Sequence, residues 1–384
     1  MSKESTPGSD PEVSLTLIKK RHEKFFLRLL DILPEGRFAS GETSRMTLLF
    51  FTLSGLDVLG CLQNSLNDQR RQEIIEWVYS VQRQHGFLGT TFLISNTTKP
   101  DELNSSVHIA MTYTALAILV ILGTKKINYL KVILPTMKFL ITKFCILGDD
   151  LSRVNTNGLL EGLAKLQKPD GSFMASLEEQ HCDMRFVYCA ACICTFLNNF
   201  GTIDKTAMKN FILKSFSYEG AFGQGPDLEA HGGSTYCAVA ALSMLGELTN
   251  LDSNIKEKCL KWLSFRLDSG FQGRPNKQDD TCYTWWVGGA LKLLVNETSE
   301  INKNNFVMEQ IQHCVPYVLS TQDPITGGLA KWPDLTPDPL HSYLGLSGLG
   351  LGNYPELRPV DAELNITLRA RQYLNQLHNK KSCI

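Results

Sequence analysis

DTCYTWWVGGAL at 280–291 is one of five segments that share a layout, and the comparison among them decides the fold. The others are HIAMTYTALAIL (108–119), DMRFVYCAACIC (183–194), HGGSTYCAVAAL (231–242) and DPLHSYLGLSGL (338–349). Each opens on a His or Asp five residues ahead of an aromatic: Tyr113, Tyr188, Tyr236, Trp285 or Tyr343. Each then runs through Ala, Gly, Leu and Cys with few charges, the composition of a helix buried on all sides. A glycine turn precedes each one: Gly86-Phe87, Gly171-Ser172-Phe173, Gly220-Ala221-Phe222, Gly270-Phe271 and Gly327-Gly328-Leu329. The last four turns are spaced 49, 50 and 57 residues apart. Before each turn lies a stretch (74–84, 158–168, 208–218, 255–267, 306–321) with charges at helical intervals, as in a half-exposed helix. A period of this length marks one supersecondary unit stacked on its copies. Buried and amphipathic helices in alternation predict an all-α chain in two concentric layers, an α/α barrel. Its glycine turns lie at one end, and the polar starts of the inner helices converge on one mouth.

Two of those starts carry zinc-ligand chemistry. Asp280, Cys282 and His341 are three different donor types from consecutive repeats, and three protein ligands leave a fourth position open, as in catalytic zinc sites. Two residues apart on a helix means about 200° in azimuth, so Asp280 and Cys282 can share a metal only in a loop that runs into a helix N-terminus. Gly273, Pro275 and Asn276 before them, and the apolar run 285–294 after them, fit that placement. Helix capping accounts for Asp183 and Asp338 but explains neither Cys282 nor His341.

The 384 residues, 43% of them hydrophobic, suffice for a large core. A formal charge of −1 argues against a general nucleic-acid surface or a polybasic membrane patch. Eleven cysteines at irregular spacing, with no signal peptide, read as reduced thiols in the cytoplasm. Residues 1–12 (MSKESTPGSDPE) read as a disordered tail, and 13–380 as a single domain. The richest apolar run, 129–147, is broken by Lys131, Lys138 and Lys143 and is no membrane span. Cys383 stands second from the end, so no prenylation signal is expected on the chain itself.

From about residue 21 to 377 the chain resembles the β subunits of protein prenyltransferases, and within them the type I geranylgeranyl-transferring branch. The strings that carry the likeness are GETSRMT (41–47), FFTLSGLD (50–57), HIAMTYT, DDLSRVN (149–155), DMRFVYCA, HGGSTYC, GRPNKQDDTCY (273–283) and AKWPD (330–334). The resemblance implies an α6–α6 toroid, one zinc ion and an obligate heterodimer with a helical-repeat α subunit. It also implies geranylgeranyl diphosphate as lipid donor. The acceptors it implies are proteins ending in a Cys-aliphatic-aliphatic-Leu-type motif, small GTPases among them.

Carried over by position, zinc falls to Asp280, Cys282 and His341, and the diphosphate to His231, Arg274, Lys277 and Tyr283. These are suitable groups: Arg offers paired planar donors, Lys a point charge and Tyr a phenolic donor. The isoprenoid pocket falls to Thr47, Phe51, Met111, Tyr113, Arg185, Tyr188, Cys189 and Trp286. Farnesyl-transferring relatives carry Trp where this chain has Thr47, so a longer lipid is implied, each buried CH₂ contributing roughly 0.8 kcal/mol. Lys331 stands where those relatives use an Asp to hold magnesium, which implies that Mg²⁺ is not required and that the ammonium joins Tyr283 in stabilising the leaving group. One block departs from the family: residues 124–148 intervene between Gly123 and DDLSRVN, as an atypical insertion or a gene-model artefact.

Other functions fit less well. Farnesyl transfer is the neighbouring alternative and a scaffolding barrel the non-enzymatic one. Terpene cyclisation lacks its Asp-x-Asp-Asp string, since Gln278 precedes Asp279 and Asp280. Sugar hydrolysis would call for paired acids at the mouth and no metal ligands.

Overall fold

A computed structural model of the chain describes residues 16–31, 41–91, 94, 100–123, 151–296 and 301–381. The N-terminal tail and the block 124–148 lie outside the described residues.

Six helices form a closed inner ring: α1 (Arg45–Val58), α2 (Ile109–Leu122), α3 (Met184–Leu197), α4 (Gly232–Met244), α5 (Tyr283–Asn296) and α6 (Pro339–Leu351). Each packs on the next and α6 packs back on α1, which closes the toroid. Five of the six are the repeats legible in the sequence; α1 is the sixth. Burial follows composition: every residue of α2 except Ala110 is buried, as is every residue of α3 from Phe186 to Cys194. Outside the ring lie the amphipathic helices Lys19–Asp31, Asp68–Ser80, Thr156–Leu166, Lys205–Lys214, Ser253–Ser264 and Ile301–His313, the last continued by Val315–Ser320.

The N-termini of the ring helices are stitched into one rim. Backbone amides at the start of one unit donate to carbonyls in the loop of the next: Met46 to Gly89 (3.0 Å), Ile109 to Ala175 (2.9 Å), Met184 to Gln224 (2.8 Å), Gly232 to Gly273 (2.9 Å) and Thr281 to Lys331 (2.9 Å). These bonds satisfy helix-terminal donors that would otherwise lack partners. Where a turn crosses an outer helix only glycine fits: Gly171 has φ +91°, and a Cβ there would meet the Ala207 carbonyl at 2.0 Å. A hydroxyl in the first turn of α2, α4 and α6 then receives the amide just past the glycine turn: Phe87 to Thr112 (3.0 Å), Phe222 to Thr235 (3.1 Å) and Leu329 to Ser342 (2.8 Å).

The repeat aromatics converge inside the ring. Tyr343, Phe50, Tyr113, Tyr188, Tyr236 and Trp285 pass ring contacts from α6 and α1 through α2, α3 and α4 to α5, with centroids 5.4–5.7 Å apart. Four tyrosine hydroxyls hang the segment 362–365 across the far end of the bore. Tyr236 donates to Ala362 O (3.0 Å), Tyr188 to Glu363 O (2.9 Å) and Tyr113 to Leu364 O (3.2 Å), while Tyr343 bonds Asn365. Asp57 of α1, fully buried, holds the chain on either side of that segment through Arg358 (2.7 Å), Thr367 and Arg369 (2.8 Å). One end of the toroid is therefore closed and the rim end holds the polar residues. Among the described residues no helix is long and apolar enough to cross a membrane.

Candidate metal centre and anion pocket at the barrel mouth

α5 begins at Tyr283, so Asp280 and Cys282 still lie in the loop and escape helical spacing. Thr281 between them turns away and is fixed to the next repeat, its hydroxyl donating to Ala330 O (2.7 Å) and its amide to Lys331 O (2.9 Å). The two flanking side chains are thereby left on the mouth side, and Lys331 is drawn to within 3.7 Å of Asp280 Oδ2.

His341 comes from the first turn of α6. Asp338 caps that helix, accepting the His341 amide on Oδ1 (3.0 Å), and its Oδ2 stands 2.6 Å from His341 Nδ1. Nδ1 therefore carries the proton, and Nε2 faces Asp280 Oδ1 at 3.2 Å. A cap reading of Asp338 is correct but incomplete, because the same carboxylate orients the imidazole. The ligand atoms of Asp280, Cys282 and His341 all lie within 4.8 Å of one another. A tetrahedron built on metal–ligand distances of 2.0–2.3 Å has edges of about 3.3–3.8 Å, so a contraction of about 1 Å brings the widest pair onto one ion. A carboxylate, a thiol and an oriented imidazole, all largely buried, are a donor set that fits a borderline-soft metal.

Without a metal two of the three donors, His341 and Cys282, keep their protons at neutral pH. Burial opposes a charge on His341, but the hydrogen bonds to Asp280 and Asp338 outweigh it and raise its pKa to about 9. Burial also opposes ionisation of Asp280, yet the His341 bond and charge hold its carboxyl below the usual range. The Cys282 thiol is pushed well up by burial and then by Asp280, so without a cation it stays protonated.

Beside the triad lies a cavity of about 390 Å³ lined by His231, Arg274, Lys277, Tyr283 and Lys331, together with Asp280 and Trp332. Gly273 makes room for the phenol of Tyr283, since a Cβ there would lie 2.2 Å from its ring. Arg274 Nη1 reaches Glu229 Oε2 at 2.6 Å, and the Lys331 ammonium sits 4.6 Å from the Trp332 ring centre. His231 caps α4: its Nδ1 accepts the amides of Gly233 (3.0 Å) and Ser234 (3.4 Å). Burial and then the Arg274 charge lower its pKa, so the ring is neutral with its proton on Nε2. Nε2 lies 2.9 Å from the Tyr283 hydroxyl and donates to it. The phenol, itself kept protonated chiefly by burial, thus has its own O–H left for the cavity.

The expected lipid-pocket residues stand on the ring helices α1, α2, α3 and α5. Thr47 touches Met111 Sδ at 3.4 Å, Phe51 stacks on Tyr343 at 5.7 Å, and Trp286 meets Tyr236 edge-on at 5.3 Å. Tyr113, Tyr188 and Cys189 keep slight exposure where their neighbours Ala115, Ala190 and Ala191 have none. Arg185, in the first turn of α3, has a side chain 61% exposed and binds Asp183 at 2.5 Å through its guanidinium.

Comparison with known proteins places this arrangement. The family model described as the prenyltransferase alpha-alpha toroid domain matches residues 17–366. The chain is 34% identical to the geranylgeranyl transferase type-1 subunit beta of Dictyostelium discoideum, over 90% of this chain and 94% of that protein. Identity to the Arabidopsis thaliana protein of the same name is 33%, over 96% and 93%. A protein farnesyltransferase subunit beta from Schizosaccharomyces pombe matches at 28%, over 86% and 77%. Among solved structures, Candida albicans protein geranylgeranyltransferase-I complexed with GGPP superposes with a TM-score of 0.72 at 25% identity, covering 94% of this chain and 99% of that one. A type II terpene cyclase from Scytonema, 12% identical with a TM-score of 0.52 over 88% and 98%, shares the fold alone.

Proposed function

This chain belongs to the prenyltransferase family of α–α toroids, among its geranylgeranyl transferase type-1 β subunits, and from that premise we propose how its mouth performs the transfer. The activity is transfer of a geranylgeranyl group from geranylgeranyl diphosphate to the cysteine of a C-terminal Cys-aliphatic-aliphatic-X motif. The observation that carries our account is the juxtaposition of the Asp280–Cys282–His341 triad with a cation-lined cavity at the mouth of an apolar ring.

In our reading the triad holds zinc. When bound, zinc keeps the substrate cysteine as a thiolate at neutral pH, where a free thiol with a pKa near ~8.5 is mostly protonated. Asp338 holds His341 in the tautomer whose Nε2 faces the site. The reaction forms a carbon–sulfur bond at the first carbon of the lipid and breaks the bond from that carbon to the diphosphate. Negative charge grows on the departing oxygen. Arg274, Lys277 and Lys331 meet it as fixed cations, and Tyr283 donates its free O–H, oriented from behind by His231. Because these groups are in place before reaction, little reorganisation is required. The ammonium of Lys331 supplies charge where a magnesium ion could otherwise serve, so Mg²⁺ is not required. The apolar ring receives the lipid, with Thr47 leaving space for the fourth isoprene unit.

The remaining assignments rest on family likeness. An α subunit completes an obligate heterodimer, the enzyme works in the cytoplasm, and its acceptors include small GTPases ending in Leu. Farnesyl transfer is the second reading, supported by the weaker likeness to farnesyltransferase β subunits. The test is co-expression with an α subunit, followed by prenylation of two peptides, one ending in Leu and one in Ser or Met. Preferential modification of the Leu peptide with the twenty-carbon donor is expected; preference for the other peptide and the fifteen-carbon donor contradicts it.

A further inference from the structure

The cations at the mouth are not equally free. Arg185 is bound to Asp183, a buried carboxylate that also caps α3. Lys331 lies near Asp280, a member of the metal triad. Among the described residues Lys277 has no carboxylate within ion-pair distance. Arg274 is the exception in kind: its partner, Glu229, caps no helix and belongs to no ligand set, and its side chain is 51% exposed. Among the described residues the one hydrogen bond of the Glu229 carboxylate, at 2.6 Å, is with a guanidinium that lines the anion cavity. The loop bearing it, 225–231, is held close to Gly223, where a Cβ would meet the Leu228 carbonyl at 2.6 Å and that of Glu229 at 3.0 Å. The backbone of Glu229 is thereby fixed, while its side chain is free to swing into solvent.

We propose that Glu229 is a displaceable internal counter-ion. It holds Arg274 while the cavity is empty, yields the guanidinium to the lipid diphosphate, and retakes it as inorganic diphosphate leaves. The proposal deepens the reading of this cavity as the diphosphate site and rests on it. Glu229 occupies Nη1 of the guanidinium, so a diphosphate that takes that N–H group must first break the pair. An ion pair this exposed contributes little by itself. The effect on affinity is correspondingly modest, and its consequence is kinetic: carboxylate return competes with rebinding of product.

The test uses the purified full-length enzyme and inorganic diphosphate as the probe, with binding measured by calorimetry at constant ionic strength. Glu229→Gln should bind diphosphate about threefold to fivefold more tightly than the parent, and diphosphate should inhibit its turnover at correspondingly lower concentration. Asp227→Asn is the control. Asp227 lies in the same loop, exposed and at φ +61°, which Asn tolerates, and no ion pair joins it to Arg274. The control should leave diphosphate affinity within twofold. Equal affinity for parent and Glu229→Gln, or the same gain in Asp227→Asn, overturns the proposal. Failure of the parent itself to bind diphosphate contradicts instead the site assignment beneath it.

Discussion

Removing one oxygen atom, in Tyr283→Phe, examines the mouth more closely than any charge reversal. The two amides at the start of α4 occupy Nδ1 of His231, which forces the proton onto Nε2 and the Nε2–H onto the Tyr283 oxygen. The phenolic proton is then committed to whatever anion fills the cavity. A hydrogen bond to a charged group is worth about 1.5–3 kcal/mol, and here it strengthens as charge grows on the departing oxygen. At about 1.4 kcal/mol per factor of ten, the single-turnover transfer rate should fall between about tenfold and 150-fold. His231→Asn retains a side-chain acceptor for the helix cap but loses the donor behind the phenol, so it too should slow transfer. Since His231 acts through Tyr283, the losses should not add: the double variant should lie within about 0.5 kcal/mol of Tyr283→Phe. The assay is rapid-quench single turnover with enzyme in excess, with lipid diphosphate affinity measured alongside. A Tyr283→Phe rate within twofold of the parent, or fully additive losses, would refute the directed chain of donors.

Four further outcomes are expected. Asp338→Asn keeps an N-cap but loses the carboxylate on His341 Nδ1, so zinc affinity should drop about tenfold to a hundredfold. Zinc uptake by the parent should also strengthen with rising pH. In the metal-free protein His341 (about 9) and Cys282 (higher) are protonated at neutrality, and both protons must leave. The raised His341 pKa means its bonus to the metal-free fold is present in full below its unfolded value and lost as pH rises through about 9; uptake that is flat between pH 6 and 8 counts against the triad. Thr47→Trp should shift preference from the twenty-carbon to the fifteen-carbon diphosphate, since overpacking against Met111 costs about 1–3 kcal/mol, and competition between the two donors reads it directly. Lys331→Asp should lower transfer without magnesium and regain part of it when magnesium is added, whereas a parent inactive until magnesium is supplied contradicts the role given to Lys331.

The toroid was legible because its inner helices repeat a chemical layout, a capping His or Asp followed by an aromatic five residues on. α1 escaped that reading for a physical reason. Its N-cap, Ser44, makes no side-chain hydrogen bond, and no His or Asp announces the helix. The hydroxyl at Thr112, Thr235 and Ser342 was a visible periodic signal, four residues after each cap, that the pattern of apolar residues hides. The strap at 362–365 could not be read, because tyrosine hydroxyls from four repeats meet its backbone carbonyls at separations of 22 to 251 residues. The triad was legible as three donor types at consecutive repeat starts. Asp338 was half legible, as a cap, since only the folded turn shows its second oxygen on His341. The pairing of Arg185 with Asp183 could not be read either, because two residues' separation in sequence does not say where a guanidinium turns.

The central claim, that Asp280, Cys282 and His341 hold a metal with one position open to the substrate sulfur, is tested most directly by cobalt substitution. The enzyme is stripped of metal, reloaded with one equivalent of Co²⁺ and titrated with a peptide carrying the C-terminal cysteine motif. Tetrahedral cobalt bands and one thiolate charge-transfer transition from Cys282 should be present at the start. A second thiolate contribution should then grow to saturation at one peptide per metal, and a peptide with Ser in place of Cys should add nothing. A charge-transfer band that the cysteine peptide leaves unchanged would contradict the account.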